Sequence, residues 1–316
     1  MTKNSINVAV IGVGGWGSNF LRVFSELNKC KLVAVCDVNL NRVKDFSQKY
    51  GVEYFTDYKL MLKKVKELDA VAVVTPTSSH YKTAIDVINT GKHVFVEKPI
   101  CDSSIKAKKL VKAAFKRKVK LAVGHIERFN PAVQELKNRL DNGELGDIIS
   151  IVARRVGRPV KVSEIGVVRD LAVHDIDIIR FLIGNDPRSV FARCGAIGKS
   201  AFEDHAEIML AFDEVKSGYI EVNWLTLKKE RSLTVTCSDA VGIVNYVDRS
   251  LVIEYPTRDA VFKFAQEEPL KLELSNFIEC ILHNTAPMVT GIDGLRALEI
   301  AEAALKSAKE LKVLKI

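Results

Sequence analysis

The first part of the chain alternates short apolar runs with stretches of helical periodicity. Short apolar runs predict buried strands, and amphipathic stretches between them predict helices. The predicted strands are Ile6–Ile11, Leu32–Cys36, Ala70–Val74, His93–Val96 and Lys120–Val123. The predicted helices are Ser18–Leu27, Asn41–Lys49, Tyr58–Lys66, Thr83–Asn89 and Ser104–Lys118. This alternation predicts an α/β domain over residues 1–124, built as a doubly wound parallel sheet of the Rossmann type.

The pattern changes after Gly124. A helix at Pro131–Asp141, a strand at Ile148–Arg155 and a helical stretch over residues 169–183 are predicted next. Short alternating runs follow at Val190–Cys194, Ala206–Phe212, Ser217–Trp224, Ser232–Cys237, Gly242–Tyr246 and Leu251–Tyr255, and then helices at Leu270–Leu282 and Gly294–Leu311. We expect a second, α+β domain over residues 125–316 with an antiparallel or mixed sheet. Its last helix is a candidate for packing back on the first domain.

Composition narrows the class of protein. The chain has 316 residues, 47% hydrophobic and 27% charged, which is ordinary for a globular protein with two cores. It shows neither a membrane-length apolar run nor the pattern of a secretory signal. The six cysteines lack C-x-x-C spacing, so we expect free thiols, no metal site and a cytoplasmic location.

The net charge of +8 lies largely in the segment 106–120. Apolar residues recur there at helical spacing, which predicts an amphipathic surface helix with a lysine face. Stacking aromatics and nucleic-acid-binding motifs are missing from the sequence, so we expect no nucleic-acid partner. The excess of positive charge is compatible with an anionic small substrate.

A glycine-rich loop follows the first predicted strand and opens the first predicted helix. Its glycines fit G-x-G-x-x-G, the pattern in which a backbone turn and a helix N-terminus approach a pyrophosphate. The loop reads Gly12, Val13, Gly14, Gly15, Trp16 and Gly17. The alternative is a glycine turn without a ligand.

The second predicted strand ends at Asp37. A carboxylate at this position accepts hydrogen bonds from the adenosine ribose and repels a 2′-phosphate, so NAD is favoured over NADP. Asn39 and Arg42 are predicted to lie beside the cofactor as well, although Arg42 is also a group that could accommodate that phosphate.

Two further loops follow the carboxyl ends of predicted strands, where ligands bind in such sheets. One contains Thr75, Pro76, Thr77 and His80, and the other contains Glu97, Lys98 and Pro99. The Lys98 ammonium is a candidate to hold a substrate hydroxyl and stabilise oxyanion character during hydride transfer. The alternatives are a packing role for His80 and an ordinary surface position for Lys98.

A polar stripe marks the helical stretch 169–183. Asp170, His174 and Asp177 stand at i, i+4 and i+7, opposite the apolar residues Ala172, Ile176, Ile179 and Ile183. The stripe is either a solvated face or a general base with its orienting carboxylate. An imidazole has an unperturbed pKa of about 6.5, which suits proton transfer near neutral pH. We predict His174 as the base and Asp170 as its partner, and we expect Asp175 and Asp177 to be structural or solvent-facing.

Together these motifs resemble the glucose–fructose oxidoreductase/inositol dehydrogenase family, written GFO/IDH/MocA. Two further segments, Gly124–Pro131 and Arg154–Pro159, resemble its branch of UDP-N-acetylglucosamine 3-dehydrogenases. The resemblance implies a bound nicotinamide cofactor and a large open sheet in the second domain that forms a homodimer or homotetramer. It implies that Lys98 contacts substrate and nicotinamide and that His174, with Asp170, is the base. It also places Glu97, Thr75, Pro76, Thr77 and His80 against the cofactor.

A nucleotide-sugar substrate brings a diphosphate, which requires cations. Several cationic side chains lie around the end of the strand that precedes the helical stretch 169–183, namely Arg154, Arg155, Arg158 and Lys161. We predict that Arg155 and Arg158, together with Asn130, bind substrate. The alternative is a basic rim without a ligand.

The functional hypothesis is an NAD-dependent oxidoreductase that oxidises C3 of UDP-N-acetylglucosamine. A rival of the same class is an inositol or free-sugar dehydrogenase, which needs no diphosphate site. A rival of another class is a non-catalytic NAD-bound regulator, which needs neither Lys98 nor His174.

Overall fold

The computed structural model describes residues 4–158, 164–197, 202–264 and 268–316. Pro159 and Lys161 of the predicted basic segment lie outside the described residues. The chain divides into two compact units. The first contains residues 1–125 and 270–295, and the second contains residues 126–269 and 296–316.

The first unit is built on a parallel sheet of six strands in the order β3-β2-β1-β4-β5-β6, which confirms the predicted doubly wound fold. The strands are β1 Ile6–Ile11, β2 Cys30–Cys36, β3 Glu53–Phe55, β4 Ala70–Val73, β5 His93–Glu97 and β6 Leu121–Gly124. The order reverses between β1 and β4, so the carboxyl ends of these strands border the crevice in which such sheets bind ligands.

The helices of this unit are α1 Gly17–Glu26, α2 Leu40–Tyr50, α3 Tyr58–Lys64, α4 Thr77–Asn89, α5 Ser104–Arg117 and, further along the chain, α8 Pro269–Leu282. Helix α4 begins six residues before the predicted start at Thr83, directly after Pro76. The first turn of α4 consists of polar residues, so it lacks the apolar periodicity that predicts a helix. Strand β3 was not predicted because it is only three residues long and has one buried side chain, Phe55.

The second unit is built on a nine-stranded mixed sheet in the order β14-β13-β12-β11-β7-β10-β9-β8-β15. The strands are β7 Ile148–Val156, β8 Ser189–Gly195, β9 His205–Ala211, β10 Ser217–Asn223, β11 Glu230–Cys237, β12 Val241–Asn245, β13 Ser250–Tyr255, β14 Arg258–Lys263 and β15 Leu314–Lys315. Only the pair β7–β10 is parallel within the described ranges, which confirms a mostly antiparallel sheet. The prediction missed β14 and β15.

The core of the second unit lies on one face of this sheet. Alternation along β7 turns Ile151 and Ala153 into the core, whereas Val152 points away and is 44% exposed. The core face is covered by α6 Pro131–Asp141, by α7 Val173–Ile183 and by the later part of α9 Gly291–Glu310.

The helical stretch predicted over residues 169–183 is not one regular α-helix. Its first turn, Val168–Ala172, is a π-helix and runs directly into α7. Turns of this kind occur frequently at functional sites. Asp170 lies in the π turn, so the predicted α-helical spacing holds only from Val173 onward.

All six cysteines are free. Within the described ranges, no helix has the length and apolarity required to cross a bilayer.

Candidate active site

Two glycines of the loop after β1 are required by the packing of the first unit. Gly12 has a φ of +89°, and a Cβ there would lie 2.5 Å from the Val74 carbonyl oxygen. A Cβ on Gly17 would lie 2.0 Å from the Gly12 carbonyl oxygen. Larger residues would therefore push the loop away from β4 and separate α1 from β1.

The middle of the loop is open. A Cβ on Gly14 would meet only the tip of Arg42, at 4.0 Å, and a Cβ on Gly15 would meet nothing. The backbone at these positions is accessible just before the N-terminus of α1. This cradle fits a dinucleotide pyrophosphate, which hydrogen-bonds to backbone N–H groups and is stabilised by the helix dipole.

Asp37 lies beside the loop, at the carboxyl end of β2. Its Oδ2 accepts a hydrogen bond from the Val13 backbone N–H at 2.9 Å, and its Oδ1 accepts one from the Asn39 N–H at 3.0 Å. The Arg42 guanidinium lies 3.4 Å from the same carboxylate. Asn39 caps α2 by accepting a hydrogen bond from the Arg42 backbone N–H at 3.1 Å. Asp37 thus shapes the loop and keeps a negative charge at the position that favours NAD.

His80 holds two loops together. Its Nδ1 lies 2.9 Å from the Pro99 carbonyl oxygen, and its Nε2 lies 2.7 Å from the Thr75 carbonyl oxygen. Burial lowers the pKa of His80, while its two carbonyl partners raise it. The ring is almost completely buried, so its contacts are with the loops after β4 and β5. Thr75 is anchored in turn by a hydrogen bond from the Ser79 hydroxyl at 2.7 Å. Pro76 precedes α4 and is exposed, and Thr77 is its first residue and half-buried.

Glu97 connects the glycine loop to Lys98. Its Oε1 accepts a hydrogen bond from the Trp16 indole N–H at 2.7 Å, and its Oε2 accepts one from the Lys98 backbone N–H at 3.0 Å. Burial raises the pKa of Glu97, and the hydrogen bond from Trp16 lowers it. Lys98 itself is half-buried at the carboxyl end of β5. The loops predicted to hold cofactor are therefore joined at one edge of the sheet.

The second unit places His174 in the first turn of α7, with 9% of its surface exposed. Asp170 lies one turn earlier, in the π-helix, and is half-buried. Asp175 and Asp177 are both completely buried, so of the two alternatives for them, structural or solvent-facing, the structure shows the first.

Asp175 is buried against Arg155. The Arg155 guanidinium donates to Asp175 through Nε at 3.0 Å and through Nη2 at 3.0 Å, and it donates to Glu127 through Nη1 at 2.9 Å. Its two carboxylate partners raise the pKa of Arg155 despite the opposing effect of complete burial. Each of its three nitrogens therefore donates to a carboxylate of the protein, and Arg155 is better described as part of an ion-pair network than as a substrate ligand.

Asp177 forms a second buried pair, with Arg128. Arg128 donates through Nε at 2.7 Å and through Nη2 at 2.6 Å, in the bidentate geometry that carboxylates favour. Arg128 and Glu127 belong to a 3₁₀ turn, Ile126–Phe129, which precedes α6. Asn130, predicted to bind substrate, is 1% exposed and caps α6 by accepting a hydrogen bond from the Ala132 N–H at 3.2 Å.

A cavity of about 270 Å³ lies within the second unit, beside the π turn. Its lining includes Arg155, Arg158, Asp170, Trp224, Lys229 and Arg231. Arg158 was predicted as a substrate ligand, whereas Lys229 and Arg231 were not. The strand β11 that positions them is far from Arg158 in the sequence, so only the pairing of β11 with β7 reveals the cluster.

None of the described histidines, cysteines and carboxylates cluster in a way that would hold a metal ion.

Comparison with known proteins agrees with this arrangement. Residues 6–125 match the profile described as "Oxidoreductase family, NAD-binding Rossmann fold", and residues 133–241 match the "GFO/IDH/MocA C-terminal domain". The inositol 2-dehydrogenase of Rhizobium meliloti is 28% identical, with 99% of each chain covered. The UDP-N-acetylglucosamine 3-dehydrogenase of Acidithiobacillus ferrooxidans is 27% identical, with 94% of this chain and 95% of that protein covered.

A solved structure of UDP-N-acetylglucosamine 3-dehydrogenase from Acidithiobacillus ferrooxidans superimposes with a TM-score of 0.89 at 25% identity. The comparison covers 98% of this chain and 99% of that one. Fold, glycine loop and sequence profiles define the class as an NAD-binding oxidoreductase with a Rossmann domain. The chain belongs to the GFO/IDH/MocA oxidoreductase family.

Proposed function

We propose that this protein oxidises a secondary hydroxyl of a nucleotide sugar with NAD⁺, converting C3 of UDP-N-acetylglucosamine to a ketone. The observation that most favours this substrate is the cavity beside Asp170, whose lining contains four cationic side chains and one carboxylate. A diphosphate is the part of a UDP-sugar that such a lining suits. The similarity over nearly the whole chain to a UDP-N-acetylglucosamine 3-dehydrogenase supports the same choice.

The cofactor would be held by the first unit. Gly14 and Gly15 offer accessible backbone to the pyrophosphate, and Trp16 is the last residue of the loop before α1. The Asp37 carboxylate would accept hydrogen bonds from the ribose hydroxyls. The loops of Thr75 and Glu97 would border the nicotinamide. When bound, NAD⁺ supplies the hydride acceptor.

The chemistry of the hydroxyl is assigned to Lys98, Asp170 and His174. His174 takes the proton from the hydroxyl as general base, since an imidazole nitrogen is a suitable proton acceptor. The Lys98 ammonium donates a hydrogen bond to the same oxygen and stabilises its developing negative charge. Asp170 orients the imidazole and stabilises its protonated form. Lys98 belongs to the first unit and His174 to the second.

An inositol dehydrogenase is the second candidate, because the relative of that name in Rhizobium meliloti matches equally well. A neutral polyol does not need the cationic cavity. The two candidates therefore differ in whether a charged or an uncharged substrate is oxidised.

Steady-state oxidation tests the proposal. Purified protein with NAD⁺ should form NADH with UDP-N-acetylglucosamine and much more slowly with myo-inositol or free N-acetylglucosamine. His174→Ala and Lys98→Ala should each lower kcat by about a hundredfold or more, the range of general acid–base and oxyanion effects. Lys108→Ala, which removes an exposed lysine of α5, serves as the control and should leave kcat unchanged. Faster turnover of myo-inositol, or full activity in both site variants, would contradict the proposal.

We also propose that the protein is a homodimer or homotetramer assembled through the sheet of the second unit. Val152, Tyr219 and Met209 stand side by side on three neighbouring strands and are 44%, 37% and 54% exposed. Val261, on β14, is 61% exposed and belongs to the same row across the sheet. An apolar row of this kind favours burial against a second copy. Light scattering on the purified protein measures the mass, and a monomer would contradict this assignment.

A further inference from the structure

Two arginines of the second unit lie directly opposite each other on neighbouring strands. Arg155 on β7 pairs in register with Arg231 on β11. Like charges at directly opposed positions of antiparallel strands are destabilising. The two guanidinium groups therefore repel each other, and a nearby negative charge would reduce this repulsion.

Of the two arginines, only Arg155 forms ion pairs with carboxylates of the described part of the chain. Arg155 is enclosed by Asp175 and Glu127. No carboxylate of the described part of the chain lies within hydrogen-bond or ion-pair distance of the Arg231 guanidinium. Burial lowers the pKa of Arg231 and the neighbouring charge of Arg155 lowers it further, while the more distant carboxylates of Glu127, Asp175 and Asp170 oppose this without reversing it. The Arg231 side chain is thus a half-buried cation that forms no ion pair with the described residues.

Lys229 adds a second cation at the same place. Arg231 lowers the pKa of Lys229, and burial and Arg155 lower it further. Gly157 brings Lys229 close to the end of β7, since a Cβ on Gly157 would lie 2.9 Å from the Lys229 Cα. Gly157 also has a φ of +138°, which other residues rarely adopt. The backbone is therefore shaped to bring Lys229 beside Arg158, the next residue after Gly157.

These three cations line the cavity of about 270 Å³, together with Asp170 and the indole of Trp224. The cavity contacts the π turn that contains Asp170. A substrate group bound there would lie next to the residue that we assign to orient the catalytic base.

We propose that Arg231 and Lys229, with Arg158, bind a phosphate or diphosphate group of the substrate and select for substrates that contain one. The ligand assignment rests on the proposed function, because the group is taken to belong to the oxidised sugar. Arg155 also lines the cavity. We do not assign it to the anion, because each of its three nitrogens donates to Asp175 or Glu127.

A phosphate or diphosphate suits this site better than a carboxylate does. One arginine satisfies a carboxylate by a bidentate pair. Three separate cations that form no ion pair within the described ranges match a group with more oxygens and more charge. Arginine and lysine are also the side chains that suit phosphate recognition. The Trp224 indole provides an apolar wall for the remainder of the ligand.

Calorimetry on the full chain with saturating NAD⁺ tests the site, because the added cofactor keeps the probe out of the dinucleotide cradle. The probes are UDP and inorganic pyrophosphate, with glucuronate as the carboxylate probe. Arg231→Gln and Lys229→Gln should each raise the Kd for UDP by about tenfold or more, the size expected for a charge-assisted hydrogen bond. Lys228→Gln changes the neighbouring exposed lysine, which does not line the cavity, and should leave the Kd unchanged.

Two further measurements separate binding from folding and from turnover. Without ligand, Arg231→Gln should be at least as stable as the wild type, because it removes the opposed charges. With UDP-N-acetylglucosamine, Arg231→Gln should raise KM by about tenfold while kcat changes less than about threefold.

The outcomes are distinguishable. Loss of UDP binding in both variants without any oxidation of UDP-N-acetylglucosamine supports the anion site and contradicts the proposed reaction. Oxidation of UDP-N-acetylglucosamine with equal KM in wild type and Arg231→Gln contradicts the anion site and leaves the reaction standing. Tighter binding of glucuronate than of UDP and pyrophosphate would contradict the choice of a phosphate group.

Discussion

The Trp16 indole N–H donates a hydrogen bond of 2.7 Å to the buried carboxylate of Glu97, 81 residues further along the chain. The other oxygen of Glu97 accepts a hydrogen bond from the backbone N–H of Lys98. One carboxylate thereby connects the glycine loop to the residue that we assign to the substrate oxygen. Gly124 permits this arrangement, because a Cβ there would lie 2.9 Å from the Glu97 carboxyl carbon.

Trp16→Phe should weaken NAD⁺ binding and destabilise the first unit. Phenylalanine keeps an aromatic ring but removes the indole N–H donor, so Oε1 of the buried Glu97 carboxylate loses this hydrogen bond. We expect a loss of about 1.5–3 kcal/mol in the free energy of unfolding, measured in urea, and an increase in the Kd for NAD⁺. Unchanged NAD⁺ affinity and stability would show that this hydrogen bond does not hold the loop.

Asp37→Ala should relax the preference for NAD⁺. Without the carboxylate, the 2′-phosphate is no longer repelled and Arg42 is released from its 3.4 Å contact to meet it. We expect the ratio of kcat/KM for NADP⁺ to that for NAD⁺ to rise by about tenfold or more, which corresponds to a single charge contact. The double variant with Arg42→Gln is the control and should lose that gain. An unchanged ratio in Asp37→Ala would mean that another group sets the preference.

Asp177→Asn should destabilise the second unit strongly. Asp177 and Arg128 are both buried, and removing one partner of such a pair costs about 3–5 kcal/mol. Replacing both, as in Asp177→Asn with Arg128→Met, should recover part of the loss, since a methionine needs no compensating charge. Urea unfolding measures both variants. A double variant that is less stable than Asp177→Asn would contradict this account of the pair.

His93 should make the protein less stable as the pH falls. Its Nδ1 accepts a hydrogen bond from the Lys120 backbone N–H at 2.9 Å, which requires a neutral ring. Burial lowers the pKa of His93, and Lys120 lowers it further. The unfolded chain therefore binds more protons, and stability is lost as the pH falls through the unfolded value of about 6.5.

His93→Gln keeps an acceptor but does not titrate, so it is the matched variant for this pH effect. Its free energy of unfolding should change less than that of the wild type between about pH 7.5 and pH 5.5. Equal slopes in the two proteins would contradict a lowered pKa for His93.

Local patterns were sufficient to predict most of the fold. The apolar runs of β1, β4 and β5 and the glycine loop have their own signals in sequence, because buried parallel strands and phosphate turns restrict composition locally. Strands that are short or weakly buried were not predicted from the sequence, as β3 and β14 show. Strand β14 alternates exposed and half-buried residues at the sheet edge and offers little apolar pattern.

The candidate site was less predictable because its electrostatics are set by distant residues. Helical spacing alone places Asp177 on a polar stripe that could be a solvated face, and it leaves the position of Asp175 open. Their burial depends on Arg155, 20 residues away, and on Arg128, 49 residues away. Arg155 was placed with the substrate for the same reason, since its carboxylate partners lie on other elements. Arg231 was missed because only strand register places it opposite Arg155.

Transfer of deuterium from UDP-N-acetylglucosamine labelled at C3 tests the central claim most directly. The protein is mixed with NAD⁺ and the labelled sugar nucleotide, and the mass of the NADH and of the sugar product is measured. We expect deuterated NADH and a 3-keto sugar that has lost its label, both formed about a hundredfold or more slowly by His174→Ala. Unlabelled NADH, or no NADH from this sugar nucleotide while a neutral polyol is oxidised, would contradict it.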